Sequence, residues 1–146
     1  MDEEEVVRWL CEYFRSKEWK TRHISQRKEH FETDIQAEKE GVKYIIQAKG
    51  DRPGQESFQI QYAIGEVVAE MREKGPHIHY ALALPLRVAE KLWKFGLEGL
   101  KALQLHLFIV ESAYIVWHLN TTNLIEYIRV LREGEECLPS SLSTPP

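Results

Sequence analysis

A single α/β domain with a mixed central β-sheet flanked by helices is the fold class that three features of the sequence predict. Residues 33–39 and 42–49 alternate in polarity around Glu40-Gly41, where glycine permits the positive φ of a tight hairpin. Residues 78–84 are nearly all apolar, as expected of a central strand covered on both faces. Helical and extended patterns then alternate towards the C-terminus. Antiparallel strands early and alternation later favour a mixed sheet over a doubly wound parallel one.

The first element is an amphipathic helix from Glu3 to about Lys17. Val6, Leu10, Tyr13 and Phe14 recur at helical spacing, and acids fill its first turn, where they suit the macrodipole. Trp19 to Ile24 can extend as a strand, and the hairpin follows. The loop 50–55 contains the Pro53-Gly54 breaker. Residues 58–74 then read as a helix through Ile60, Ile64, Val67, Val68 and Met71, closed by Gly75-Pro76. Gly65 in its middle suggests close packing of that helix. After the apolar strand, Pro85 opens a helix through Trp93 to about Leu103. Residues 105–110 and 114–119 are two further strands, and Thr121 or Thr122 caps a last helix reaching about Arg132. The order is α-β-β-β-α-β-α-β-β-α.

At 146 residues the chain suits one compact domain, which we place at 1–138, with 139–146 as a flexible tail rich in Pro and Ser. Cys11 and Cys137 have no zinc-like spacing and call for no disulfide framework, so free thiols and a reducing, cytoplasmic setting are expected. The acidic opening, Asp2 to Glu5, is unlike a signal peptide, and no apolar run reaches the ~18 residues of a membrane span. The net charge of −4 argues against bulk coating of nucleic acid. Residues 15–30, however, carry six basic groups against two acids and could lie against phosphates.

A two-residue turn at Glu40-Gly41 fixes the hairpin register. Asp34 then faces Gln47, and Glu32 faces Lys49 if pairing continues, with opposed Cβ atoms about 4.5–5.5 Å apart. Asp34, Gln36, Glu38, Lys43, Gln47 and Lys49 share one face with Ile45. Ile35, Ala37, Val42, Tyr44, Ile46 and Ala48 share the other with Lys39. A half-solvated hairpin produces the same alternation without any function.

The stretch from His30 through Asp34 to Ala37, followed by Gly41 through Gln47-Ala48-Lys49-Gly50, resembles the core of the PD-(D/E)XK nucleases. Gln47-Ala48-Lys49 resembles the QxK variant of the Mrr-like restriction endonucleases. The likeness spans roughly residues 3–118 and implies a restriction endonuclease-like core of order α-β-β-β-α-β. Thr33 stands where the family often has proline, and Gln47 replaces the commoner acid, which removes a negative charge from the implied metal site. The resemblance implies a Mg²⁺- or Mn²⁺-dependent endonuclease acting on DNA. Asp34, the amide oxygen of Gln47 and the carbonyl of Ala48 would be the metal's ligands, and Lys49 would orient or help deprotonate the attacking water. Glu5 is the best match for the family's acid on the first helix, with Glu12 second. Of the two glutamines that begin the next helix, Gln59 and Gln61, Gln61 is the choice for one that reaches the site.

His77 and His79 form an HxH pattern with no third ligand at suitable spacing. His106 and His118 read as strand packing or surface, and the Trp and Tyr residues as core. A homodimer is expected, because one small site per chain must cut two strands, and restriction, repair and junction resolution fit equally well. Two other readings differ in class. One is a catalytically lapsed copy of the fold that binds nucleic acid or a partner protein. The other is a plain interaction domain with an accidental motif, which would show no acid of the first helix converging near Asp34.

Overall fold

The computed structural model describes residues 1–23, 35–112 and 114–134. Asp34, Glu32, Cys137, the basic residues between 24 and 33 and the 139–146 tail all lie outside this set. The elements run α1 (Glu3–Ser16), β1 (Lys20–His23), β2 (Ile35–Lys39), β3 (Val42–Ala48), α2 (Glu56–Ala69), β4 (Ile78–Pro85) and α3 (Leu86–Ala89). After a 3₁₀ turn over Glu90–Lys94 come α4 (Leu97–Leu103), β5 (His106–Val110), β6 (Val116–Leu119) and α5 (Thr121–Arg132). Six strands form one sheet in the order β1-β2-β3-β4-β5-β6. The pairs β3–β4 and β4–β5 are parallel and the other three antiparallel, so the sheet is mixed, as expected.

Glu40 and Gly41 have φ of 50° and 83°, the paired left-handed conformation of a type I′ turn. Lys39 consequently pairs with Val42 and Ile35 with Ile46, which is the register the turn predicts. The half-solvated pattern holds in β2, where Ile35 and Ala37 are buried and Glu38 is exposed, but not in β3. In β3 the residues from Tyr44 to Ala48 are all buried, because helices cover both faces of the strand. α1 packs Val6, Leu10 and Phe14 against Ile35, Ala37, Tyr44 and Ile46. On the opposite side, α2 and the C-terminal helices enclose Ile45 together with Leu82, Leu84, Leu107 and Ile109.

Three helix boundaries differ from the sequence-based expectation, each for a tertiary reason. α2 ends at Ala69 rather than 74, although helix-favouring residues follow. The Tyr80 hydroxyl donates to the Glu73 carbonyl across 2.8 Å and accepts from its N–H at 3.4 Å, which ties the chain to β4 as it returns. The helix expected from Pro85 to Leu103 is broken at Phe95 and Gly96, both extended. Arg132 donates to the carbonyls of Trp93 and Phe95, satisfying the groups that the break releases. The cap of α5 is Asn120, whose side chain accepts from Asn123 N at 2.9 Å, so the helix begins on Thr121. Gly65 also plays no packing role, since a Cβ there would meet nothing within 4 Å.

Candidate active site

β3 ends with Gln47 and Ala48 fully buried and leads directly into Lys49, whose backbone N–H still bonds to the Ala83 carbonyl of β4 at 3.1 Å. Gln47 and Lys49 alternate with Ala48, so both point to the α2 side of the sheet with Ile45. The Lys49 ammonium lies 2.6 Å from Oε1 of Glu66 on α2 and 3.6 Å from Oε1 of Glu3 on α1. Lys49 and Glu66 are only 16% and 19% exposed, whereas Glu3 is 47% exposed. The short, sheltered contact is thus the stronger of the two, because less water screens it. The same ammonium stands 6.0 Å from the ring centroid of Tyr62.

What brings α1 to this point is Gly50. A Cβ on Gly50 would lie 2.5 Å from the Asp2 carbonyl carbon and closer still to Glu3 N, so only glycine admits the N-terminus of α1 here. The Asp51 N–H then bonds to the Met1 carbonyl at 2.7 Å, and Gln59 of α2 donates from Nε2 to the Gly50 carbonyl at 3.2 Å. The first turns of two helices and the end of a central strand converge on one residue.

Of the candidates from sequence, Gln47, Ala48 and Lys49 stand together at this end of β3. Asp34 lies outside the described residues. The described β2–β3 ladder begins with Ile35 opposite Ile46, the residue before Gln47. The α1 acid that meets Lys49 is Glu3. Glu5 is half-buried two residues further along α1, its N–H held by the Asp2 carboxylate at 2.8 Å, and Glu12 is exposed further along the helix. Gln61 is exposed, while Gln59, on the inner face of α2, is 7% exposed and reaches the strand end.

Glu3 and Glu66 were missed in the sequence. Glu66 follows Gln59 and Ala63 by seven and three residues, which places all three on one helical face. That spacing was the available signal. Phe58 and Tyr62, 60% and 63% exposed, occupy another stripe of α2 four residues apart, so these two aromatics are surface rather than core.

The metal implied by the resemblance can be weighed against the donors present. Among the described residues no three His, Cys, Asp or Glu side chains are grouped to hold an ion. Among the described residues, the side-chain oxygens at this end of β3 include the carboxylates of Glu3 and Glu66, the buried amide of Gln47 and, past Gly50, the Asp51 carboxylate that meets the Met1 ammonium. These are hard donors of the kind magnesium takes, and an acid at position 34 would extend the set. The donor chemistry fits Mg²⁺ or Mn²⁺ and does not fit zinc.

A second polar cluster occupies the same sheet face as α1, at the opposite end of β3. His106 Nδ1 and His118 Nε2 share a proton across 2.9 Å, the Tyr44 hydroxyl lies 3.4 Å from the same His118 nitrogen, and the His79 ring is 4.6 Å from that of His106. The sequence offers no third ligand at suitable spacing for the His77/His79 pattern. The fold supplies two histidines beside His79, but their rings stack rather than converge on a common point. Burial lowers the pKa of His106 to about 3 and of His118 to about 4, and the neighbouring imidazoles reinforce both shifts. These are neutral packing groups.

No protein-family model matches the chain, and no curated protein matches it. Among solved structures, it resembles the 1.60 Å crystal structure of an XisH family protein from Nostoc punctiforme PCC 73102. The TM-score is 0.56 at 19% identity, covering 79% of this chain and 98% of that one. The fold is restriction endonuclease-like. At that identity the likeness fixes the architecture alone. No helix among the described residues is long and apolar enough to cross a membrane.

Proposed function

We propose that the protein is a metal-dependent nuclease that hydrolyses DNA phosphodiester bonds at the end of β3, with Lys49 at the centre of the site. The observation that carries this reading is the convergence on Lys49 of carboxylates from two helices, Glu3 and Glu66, in a fold of restriction endonuclease-like type. The nearness of Glu3 on the first helix to the motif lysine supports this reading over an accidental motif match.

Hydrolysis of a phosphodiester needs a water aimed at phosphorus and compensation for charge growing on the phosphoryl oxygens. A divalent ion, when bound, withdraws charge from those oxygens. Asp34, the Gln47 amide oxygen and the Ala48 carbonyl are the residues that would hold it, with a helix acid beside them. Lys49 would orient the water and offer its ammonium to the developing negative charge. The close-packed strand end keeps this group in one place, which matters more than its intrinsic strength. Mg²⁺ or Mn²⁺, a DNA substrate, a homodimer that cuts two strands and a cytoplasmic setting complete the proposal, with restriction, repair and junction resolution as its possible uses. Relation to the Mrr-like QxK enzymes is part of the same reading.

A second reading, a lapsed nuclease that binds nucleic acid or a partner, draws on Gln47, which brings no charge to the site. Supercoiled and branched DNA incubated with Mg²⁺, Mn²⁺ or a chelator, with wild type and Asp34→Ala compared at matched salt, separates the two. Metal-dependent nicking that disappears in the variant supports the nuclease. Intact binding without nicking by the wild type supports the lapsed module.

A further inference from the structure

We infer that Glu66 on α2 is the positioning carboxylate for Lys49, taking the place of an acid that β3 does not carry at position 47. On a strand, residues two apart project to the same face, so an acid at 47 would lie beside the lysine at 49. This chain has an uncharged amide at 47, fully buried. The negative charge comes instead from the neighbouring helix, where Glu66 reaches the Lys49 ammonium at 2.6 Å with both side chains largely sheltered. The acid and the lysine of the motif are thus divided between two elements.

The geometry also ranks the two carboxylates. Glu3 is one angstrom further from the ammonium than Glu66 and more than twice as exposed, so solvent screens it and Glu66 is the stronger of these two holds on Lys49. Ala63 and Val67 flank Glu66 in the buried seam between α2 and the sheet, which fixes the helical face on which it sits. With the helix anchored by Gln59 to Gly50, the carboxylate and the ammonium are held from both sides.

The inference relies on the proposed nuclease reading only for its catalytic consequence, and its test does not require cleavage. Thermal melting is compared for wild type, Glu66→Gln, Lys49→Met, the Glu66→Gln/Gln47→Glu double variant and the triple variant that adds Lys49→Met. Glu66→Gln is expected to lower Tm by roughly 4–8 °C, since it removes a sheltered negative charge that lies against a sheltered ammonium. Glu3→Gln is expected to cost less than half as much. Moving the carboxylate back to position 47 should recover most of the loss while Lys49 is present and none of it in the triple variant. A Glu66→Gln Tm equal to wild type, or a recovery that does not depend on Lys49, would overturn the inference.

If the double variant does not fold, Glu66→Asp gives the second measure. Shortening the side chain should recover part of the Glu66→Gln loss, whereas no recovery contradicts the role. Where the wild type cleaves DNA, Glu66→Gln should lower kcat at least tenfold with little change in KM. A wild type that cuts nothing refutes the nuclease reading, and the melting series still decides the role of Glu66.

Discussion

The Nε2 amide of Gln59 donates to the carbonyl of Gly50 across 3.2 Å, and through this bond α2 is fastened to the residue against which α1 packs its N-terminus. The bond is buried, so a lost partner is not replaced by water. Gln59→Leu removes the donor and leaves the carbonyl unsatisfied, at a cost of about 1–3 kcal/mol. That corresponds to a fall in Tm of roughly 2–8 °C, readable by calorimetry. Gln61→Leu, on the exposed side of the same helix, should melt within a degree or so of wild type.

Gly50→Ala tests the close approach itself. A methyl group there collides with backbone at Asp2 and Glu3 rather than with a flexible side chain, so α1 must move as a unit. The variant is expected to lose more than ~2 kcal/mol, as strained or overpacked core positions do. Gly65→Ala meets nothing and sits in a helix, so it should raise stability by roughly 0.5–1 kcal/mol. Opposite signs at the two glycines, measured by urea denaturation, are the predicted result.

The histidine cluster makes stability depend on pH. His106 and His118 titrate near 6.5 when unfolded and near 3 and 4 when folded, because burial disfavours their charged forms. The unfolded chain therefore binds more protons as the pH falls through 6.5. Stability is full above that value and declines below it, by about 1.4 kcal/mol per unit for each histidine. Tm should drop clearly between pH 7 and pH 5, before most carboxylates titrate. His118→Phe preserves the stacking against Phe108 and should remove roughly half of that dependence, leaving the share of His106. An unchanged slope would mean that the imidazole is hydrated.

Cys11 is a buried side chain whose thiol is pushed above its ordinary pKa, mainly by desolvation. In a Cys137→Ser background the folded protein should react with Ellman's reagent many times more slowly than the unfolded chain. Rapid labelling of the native protein would contradict the packing of α1 against the sheet.

The hairpin shows what the sequence made legible. Glu40-Gly41 dictates a two-residue turn, the turn dictates the register, and the alternation of the strand puts Gln47 and Lys49 on one face. The order of elements followed from periodicity. What escaped was set between elements. The choice of Glu3 over Glu5 depends on where Gly50 lets α1 touch down, and a helix alone offers both acids as exposed polar residues. Glu66 is 17 positions from Lys49 on another element, and its partnership follows from the angle at which α2 crosses β3. The break at Phe95-Gly96 depends on Arg132, whose guanidinium arrives from the last helix. The group formed by His79, His106 and His118 required the strand order, which placed three separated segments side by side.

The most direct test of the central claim is the single-turnover cleavage rate of supercoiled DNA in Mg²⁺ or Mn²⁺ for wild type and Lys49→Ala, with DNA affinity measured at the same salt. Metal-dependent nicking by the wild type is expected, with a loss of at least ~100-fold in the variant and little change in affinity. Equal rates for the two proteins, or no cleavage by the wild type under any of these conditions, would contradict it.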